Sequence, residues 1–443
     1  MHLKRVHFFA LVLLLTLTSA VQADNVDDYV KREMERQHVP GVSVLVIKDG
    51  KIVKSQGYGL ANVELNVPAR PDTVYKIGSV SKQFIATGIL LLVQDGKISL
   101  DDNVGKFLEG TPETWKTITI RHLLTHTSGI IREAPGFDAM KMQKDADVIK
   151  TAYGLPLRFA PGEKYEYCNV GYFSLAEIIS RVSGKPWPDF LRERVFAPLG
   201  MNATRTTNMI EMVPNRANGY IWRDGKLQNA SIYFAVRPSG AFLSTVLDLA
   251  KWDAALDSGK VLKQPTLDQA WTPVRLNNGT TYPYGFGWEL TPIAGHKRVN
   301  HGGSLPGFRA QLARFVDDKI TVIVLTNGDN ANAGGIANGV ANLYIPGLLP
   351  NRKVTQVDPR LLQTYVGQYD AGPSVTVSIT RDGEKLIMQR GNERQELLPE
   401  SETGFFIPDA PRSLYSFFKD ASGQLFLVVT VDGAEVGRAR KVK

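Results

Sequence analysis

The sequence has a single cysteine, Cys168, so no disulfide can form within the chain even in an oxidising compartment. Stability must come from packing. Long apolar runs are scarce too: after residue 23 none approaches the ~20 residues that a bilayer-spanning helix needs, so no stable membrane anchor is expected. Basic runs interleaved with aromatics are missing. The 52 Lys and Arg residues are scattered, and the net charge of +8 reads as a basic protein near an anionic surface, with no nucleic acid as partner. Metal-ligand patterns are absent as well: His122 and His126 stand four apart like half of a zinc site, but no Glu adjoins His122, and His38 and His296 come with no ligand pattern. The pair is read as structural, with no metal and no cofactor.

What is present starts at the N-terminus, where Lys4 and Arg5 precede an almost unbroken apolar stretch from Phe8 to Leu17 and Val21-Gln22-Ala23 offers small residues for cleavage. Residues 1–23 are predicted to be a signal peptide cleaved near Ala23, leaving a periplasmic or secreted protein. The remaining length and a composition of 43% hydrophobic and 22% charged residues suit a soluble globular chain of about two domains.

Residues 26 to 37 read as a helix, and Val42 to Ile47, Asp49-Gly50 and Ile52 to Tyr58 as a hairpin, because Asp-Gly supplies the positive φ angles of a tight turn. A buried helix is predicted from Val80 to Gln94, helical pieces from Ser174 to Val182 and Leu247 to Leu256, and a second hairpin from Phe308 to Thr326. Three prolines in residues 346–359 mark a linker between a catalytic domain, 24–345, and a C-terminal domain, 360–443. In the latter, alternation at Val375, Val377 and Ile379, and strand patterns at Leu414 to Phe418 and Leu425 to Val431, predict a small all-β fold. A barrel suits it, since closure removes exposed edges.

Chemistry enters with Ser79-Val80-Ser81-Lys82, where three-residue spacing at a helix start puts a hydroxyl and an amine on one face and gives a weak nucleophile a nearby base. The same spacing recurs at Ser416-Phe417-Phe418-Lys419, but in a strand it sends the two side chains to opposite faces. In Tyr167-Cys168-Asn169, read as an extended loop, the phenol and the amide face one way and Cys168 the other. Tyr167 could relay a proton to a leaving group, and Asn169 could bind Lys82 and a substrate carbonyl. In His301-Gly302-Gly303-Ser304 the glycines let a ligand lie against the strand, and the N–H of Ser304 can join that of Ser79 in an oxyanion hole.

Ser79, Tyr167 and His301, in this order, resemble the active-site motifs of the serine β-lactamase-like and penicillin-binding-protein family, which includes class C β-lactamases, D-Ala-D-Ala carboxypeptidases, D-aminopeptidases and related esterases. Tyr75-Lys76-Ile77-Gly78, the run His122 to Gly129 and the run Gly240 to Trp252 are similar to the family too. The resemblance covers about residues 26 to 345 and implies an α+β fold: an antiparallel five-stranded sheet flanked by helices, an adjoining all-α region, and the site at their junction. It also implies an acyl-enzyme on Ser79, with Lys82 as base and Tyr167 as acid and base, and leaves open which of the two first deprotonates the serine. Asn169, His301, Gly303 and Ser304 would bind substrate.

One departure bears on substrate. Where β-lactamases have Lys-Thr-Gly this chain has His301-Gly302-Gly303, and a mostly neutral histidine with a glycine binds a carboxylate poorly. The expected function is an exported serine hydrolase of small-molecule or peptide esters and amides, esterase-like or D-aminopeptidase-like. A β-lactamase or carboxypeptidase, and a non-catalytic penicillin-binding or scaffold protein, are the alternatives. Nothing in the pattern sets the oligomeric state.

Overall fold

The computed structural model describes residues 25–206, 211–231, 236–372, 375–391 and 393–443. The expected signal peptide and its cleavage point near Ala23 lie outside the described residues.

Residues 25–37 form a helix, α1, that buries Val26, Val30 and Met34, a spacing of four that keeps one stripe against the core. Strands β1 (Gly41–Lys48) and β2 (Lys51–Asn62) follow, joined at Asp49 and Gly50 with φ of 49° and 74°. A two-residue strand, β3 (Val67–Pro68), pairs with β2, and β4 (Arg298–Leu305), β5 (Phe308–Phe315) and β6 (Ile320–Thr326) return much later in the chain. The sheet order is β4-β5-β6-β1-β2-β3, with β1 and β6 antiparallel at its centre. The antiparallel sheet is therefore the expected one with a short sixth strand added at its edge. Every residue of β6 is buried, which is why its apolar residues from Val322 to Leu325 run on without alternation.

Helix α2 (Lys82–Gln94) extends a 3₁₀ turn, Gly78–Ser81, and is buried along its whole length from Lys82 to Leu92. Around it pack α3 (Asn169–Ser183) and α4 (Val246–Ser258), with Phe84 of α2 meeting Phe196, Phe242 and Trp252 at ring-centroid distances of 5.1, 5.6 and 5.1 Å. Tyr75–Lys76 pairs with Phe242–Ser244, which brings the turn Pro238–Gly240 beside Gly78 and Ser79. A last helix, α5 (Ala333–Asn342), lies against β5 and β6.

The chain divides after Tyr344 into two compact units. In the second, a short helix, Pro359–Tyr365, leads into eight antiparallel strands from Gly367–Asp370 to Ala434–Lys441, and the last pairs with the first through Tyr369 and Lys441 to close a barrel. Its core holds Tyr365 stacked on Phe417 at 4.1 Å, with Tyr369 and Phe405 beside them. Ser416 and Lys419 lie in the barrel strand Ala410–Lys419. Among the described residues no helix is long and apolar enough to cross a membrane.

Candidate active site

Ser79 sits in the 3₁₀ turn that opens into α2, and Lys82, the first residue of α2, is fully buried. The Lys82 Nζ lies 3.1 Å from Ser79 Oγ, 2.9 Å from Asn169 Oδ1 and 2.9 Å from the Ser239 carbonyl oxygen. Asn169 Oδ1 and the Ser239 carbonyl carry no proton, so each accepts an N–H from Lys82; the Ser79 hydroxyl can accept a third N–H or donate to a lone pair. Burial, and then the nearby charges of Arg237 and Arg132, hold Lys82 well below the usual ammonium range, with Glu133 opposing them.

Tyr167 hydrogen-bonds Ser79, and burial raises its phenol above the ordinary tyrosine range, with the Ser79 bond working the other way. The loop expected to carry Tyr167, Cys168 and Asn169 is shorter than predicted, because Asn169 already opens α3 with Cys168 as its N-cap. Cysteine is a rare cap, so the sequence carried little signal for this helix start. The Cys168 thiol accepts the Gly171 N–H at 3.3 Å and donates to the Ile131 carbonyl at 3.3 Å. Cys168 is not among the residues that line the cleft, and burial pushes its thiol up to about 12, which leaves it inert.

Two residues absent from the sequence reading complete this side. Asn169 Nδ2 donates to Glu133 Oε1 at 2.6 Å, Glu133 pairs with Arg237, and Arg237 Nε donates to Ser239 Oγ at 3.0 Å. Any substrate carbonyl that reaches Asn169 Nδ2 must share it with Glu133. No local motif announces the Glu133–Arg237 pair, whose members stand 104 positions apart.

Strand β4 is the sheet edge. On its open side the N–H and C=O of Asn300 exchange hydrogen bonds with Glu289, so the two-residue period of a strand points the N–H and C=O of Gly302 and Ser304 the same way. A Cβ on Gly78 would stand 2.6 Å from the Ser304 nitrogen, and one on Gly303 would stand 3.2 Å from the Ser79 nitrogen. Two main-chain N–H groups thus flank the point where Gly78 meets Gly303. The Gly303 Cβ would also lie 1.9 Å from the Ile77 carbonyl oxygen, so this glycine serves strand-to-turn contact; of the two, only Gly302 leaves room beside the strand.

His301 ends a buried chain of hydrogen bonds whose directions are fixed from one end. The Cys168 N–H donates to His126 Nδ1 at 3.0 Å, which leaves the neutral ring its proton on Nε2, 3.1 Å from the Tyr284 hydroxyl. Tyr284 then donates to His301 Nε2 at 3.1 Å, and His301 Nδ1–H donates to the Gly302 carbonyl at 2.6 Å. Burial, helped by Lys82, takes His301 down to about 3. The ring lines the cleft but offers a substrate neither charge nor a free nitrogen. His122, by contrast, accepts the Thr119 N–H in a helix cap.

These groups share a cleft of about 720 Å³ lined by Ser79, Tyr167, Asn169, His301, Gly303 and Ser304, with Arg132, Glu133, Arg237, Glu289 and Arg309 as its charged walls. A larger groove of about 880 Å³, where His38 stacks on Trp222, holds no comparable set.

Comparison with known proteins agrees with this geometry. The family described as Beta-lactamase matches residues 26–344. Penicillin-binding protein 4* of Bacillus subtilis (strain 168) is 31% identical over 396 residues, spanning 82% of this chain and 87% of that protein. The octameric penicillin-binding protein homologue from Pyrococcus abyssi superposes with a TM-score of 0.70 at 26% identity, covering 94% of this chain and 99% of that one. The D-amino acid amidase from Ochrobactrum anthropi SV3 superposes with a TM-score of 0.61 at 26% identity, over 73% of this chain and 95% of that one. On a match that spans most of its first unit and relatives that follow it over most of their own length, the chain belongs to the β-lactamase family, whose members here include penicillin-binding proteins and D-amino acid amidases.

Proposed function

We propose that the chain is an exported serine hydrolase that forms an acyl-enzyme on Ser79 and hydrolyses an ester, amide or peptide. The observation that carries this reading is the buried Lys82 amine, 3.1 Å from the Ser79 hydroxyl and held well below the usual ammonium range by burial. Lys82 takes the Ser79 proton as Oγ bonds to the substrate carbonyl carbon, and the N–H groups of Ser79 and Ser304 receive the resulting oxyanion. Tyr167 gives its proton to the leaving group as the scissile bond breaks. Water then attacks the acyl carbon, a base of the same cluster takes a water proton, and the carboxylic product leaves as Ser79 regains its hydrogen. Export rests on the N-terminal pattern of residues 1–23, and the barrel is read as an appended module after a linker at 346–359.

Selectivity follows from His301 and Gly302, which supply no cation and no hydroxyl for a substrate carboxylate, while Arg237 is already paired with Glu133. A charge-assisted hydrogen bond is worth roughly 1.5 to 3 kcal/mol, so each missing contact lowers kcat/KM for anionic substrates by about one to two powers of ten. The purified protein is expected to hydrolyse a p-nitrophenyl ester or a D-amino-acid p-nitroanilide with higher kcat/KM than nitrocefin. If nitrocefin is the best of the three, a β-lactamase replaces the esterase and amidase reading.

A further inference from the structure

The cleft has an arm that the reaction at Ser79 does not use. It runs behind Gly302 to Gln311 and to the segment Ala331 to Gly334 at the start of α5. Gly302 and Gln311 are direct partners across β4 and β5, so their side chains point to the same face. A Cβ at Gly302 would meet only Gln311 Oε1, at 3.1 Å, and the Ala310 carbonyl oxygen, at 3.8 Å. The missing side chain therefore opens a way from the reacting centre to Gln311.

The Gln311 amide has a fixed orientation. Asn300 Nδ2 donates to the Glu289 carbonyl at 3.1 Å, which makes Asn300 Oδ1 an acceptor, and Gln311 Nε2 fills it at 3.0 Å. Gln311 Oε1 is thereby turned toward Gly302 and Gly334, although the residue is only 7% exposed. Donors stand opposite: in the first turn of α5 the Gly335 N–H is capped by Asn332 Oδ1 at 2.7 Å and the Ile336 N–H bonds the Asn332 carbonyl at 2.9 Å, whereas the N–H groups of Ala333 and Gly334 precede any intrahelical partner. Arg309, the cation of this wall, is paired with Asp329 at 2.5 Å.

We propose that the arm behind Gly302 is a subsite for an uncharged carboxamide on the leaving-group side of the substrate, its N–H donating to Gln311 Oε1 and its C=O accepting from the first turn of α5. This rests on the serine hydrolase reading above and names what that site selects. A carboxylate in the same place would set an oxygen against the Gln311 lone pairs, a cost that Arg309, paired with Asp329, does not offset and that the N–H groups of α5 offset only in part. The site thus favours substrates whose chain continues past the scissile bond, or ends in an amide, over those that end in a free carboxylate.

Two strand residues, from Ser304 back to Gly302, span about 6.6 Å, roughly the reach of a 3-hydroxypropionyl leaving group. The test compares phenylacetyl esters of 3-hydroxypropionamide, methyl 3-hydroxypropionate and 3-hydroxypropionate, which share the reacting bond and differ only at the far end. The wild-type protein is expected to show kcat/KM about tenfold higher for the amide than for the carboxylate, and higher for the amide than for the methyl ester, which keeps the C=O but lacks the N–H. Gln311→Met should bring the amide and methyl ester rates together. Gly302→Ala, which places a methyl group 3.1 Å from Gln311 Oε1 while leaving residue 311 unchanged, should reduce the same preference, and thermal melts of both variants report folding. If the esters are cleaved in a Ser79-dependent way but the wild type prefers the carboxylate, or Gln311→Met keeps the full amide preference, the subsite is wrong and the hydrolase reading stands. If Ser79→Ala cleaves all three as fast as the wild type, the hydrolase reading falls and the subsite with it.

Discussion

Lys82→Arg is expected to lower kcat by about three powers of ten, because a general base contributes roughly two to four powers of ten and a guanidinium does not lose its proton at any working pH. The site leaves it no room either. Lys82 is fully buried with its Nζ already at 2.9 Å from both Asn169 and the Ser239 carbonyl. The pH profile of the wild type tests the same point without a mutation. In the proposed mechanism the base works as the neutral amine, so the rate is lost as pH falls through the Lys82 pKa, and burial has moved that pKa well below the usual lysine value. Tyr167, proposed as the acid, would work as the protonated phenol, so the rate is lost as pH rises through a pKa that burial has moved upward. The two displacements widen the plateau at both ends, and kcat/KM is expected to stay flat through neutral and mildly alkaline pH. A rate that keeps climbing to about 10.4, the value of an ordinary lysine, would show that Lys82 is charged at rest.

Gly303→Ala is expected to cost about two to three powers of ten in kcat, the usual effect of losing one oxyanion-hole donor. The new methyl carbon would lie 1.9 Å from the Ile77 carbonyl oxygen and 3.2 Å from the Ser79 nitrogen, so either β4 or the 78–81 turn must move. Both N–H groups proposed to receive the oxyanion, those of Ser79 and Ser304, sit on those two segments. The melting temperature should fall as well, since the contact ties the sheet edge to the start of α2. Gly437→Ala is the matched control: its Cβ meets nothing within 4 Å, and it lies in a strand of the barrel. Esterase kinetics and thermal melts on the two variants separate a local effect at the cleft from the general cost of an added methyl group.

Much of this was legible in the sequence because the relevant physics is local. Asp49-Gly50 sets a tight turn, Ser79 and Lys82 share one turn of chain, and alternation at Val377 and Ile379 marks a strand with one face buried. The family motifs implied a five-stranded antiparallel sheet but not its order, since the central β1–β6 pairing joins segments nearly 280 residues apart and has no local signature. What the sequence did not show was tertiary. Glu133 and Arg237 take their importance from meeting at Asn169 and Ser239, and Tyr284 from standing between His126 and His301. His126 was read as structural; it is buried, and it sets the tautomer of His301 through Tyr284. The glycines of the third motif divide their work in a way only coordinates reveal, since Gly303 is required by a carbonyl oxygen from a turn more than 200 residues earlier. Barrel strands such as Lys385–Arg390 and Glu393–Pro399 escaped notice because their outward faces mix charge with apolar residues and blur the period of two.

The central claim is that Ser79 is the nucleophile, and the most direct measurement is active-site labelling with a fluorophosphonate followed by peptide mass spectrometry. The reagent phosphonylates only a serine whose hydroxyl is activated by a neighbouring base, which here means the hydroxyl 3.1 Å from the Lys82 amine. The adduct is expected on the peptide that contains Ser79, at one per chain, and Ser79→Ala should take no label while Ser416→Ala labels like the wild type. An adduct on Ser239 or Ser304, or equal labelling of the wild type and Ser79→Ala, would contradict the account.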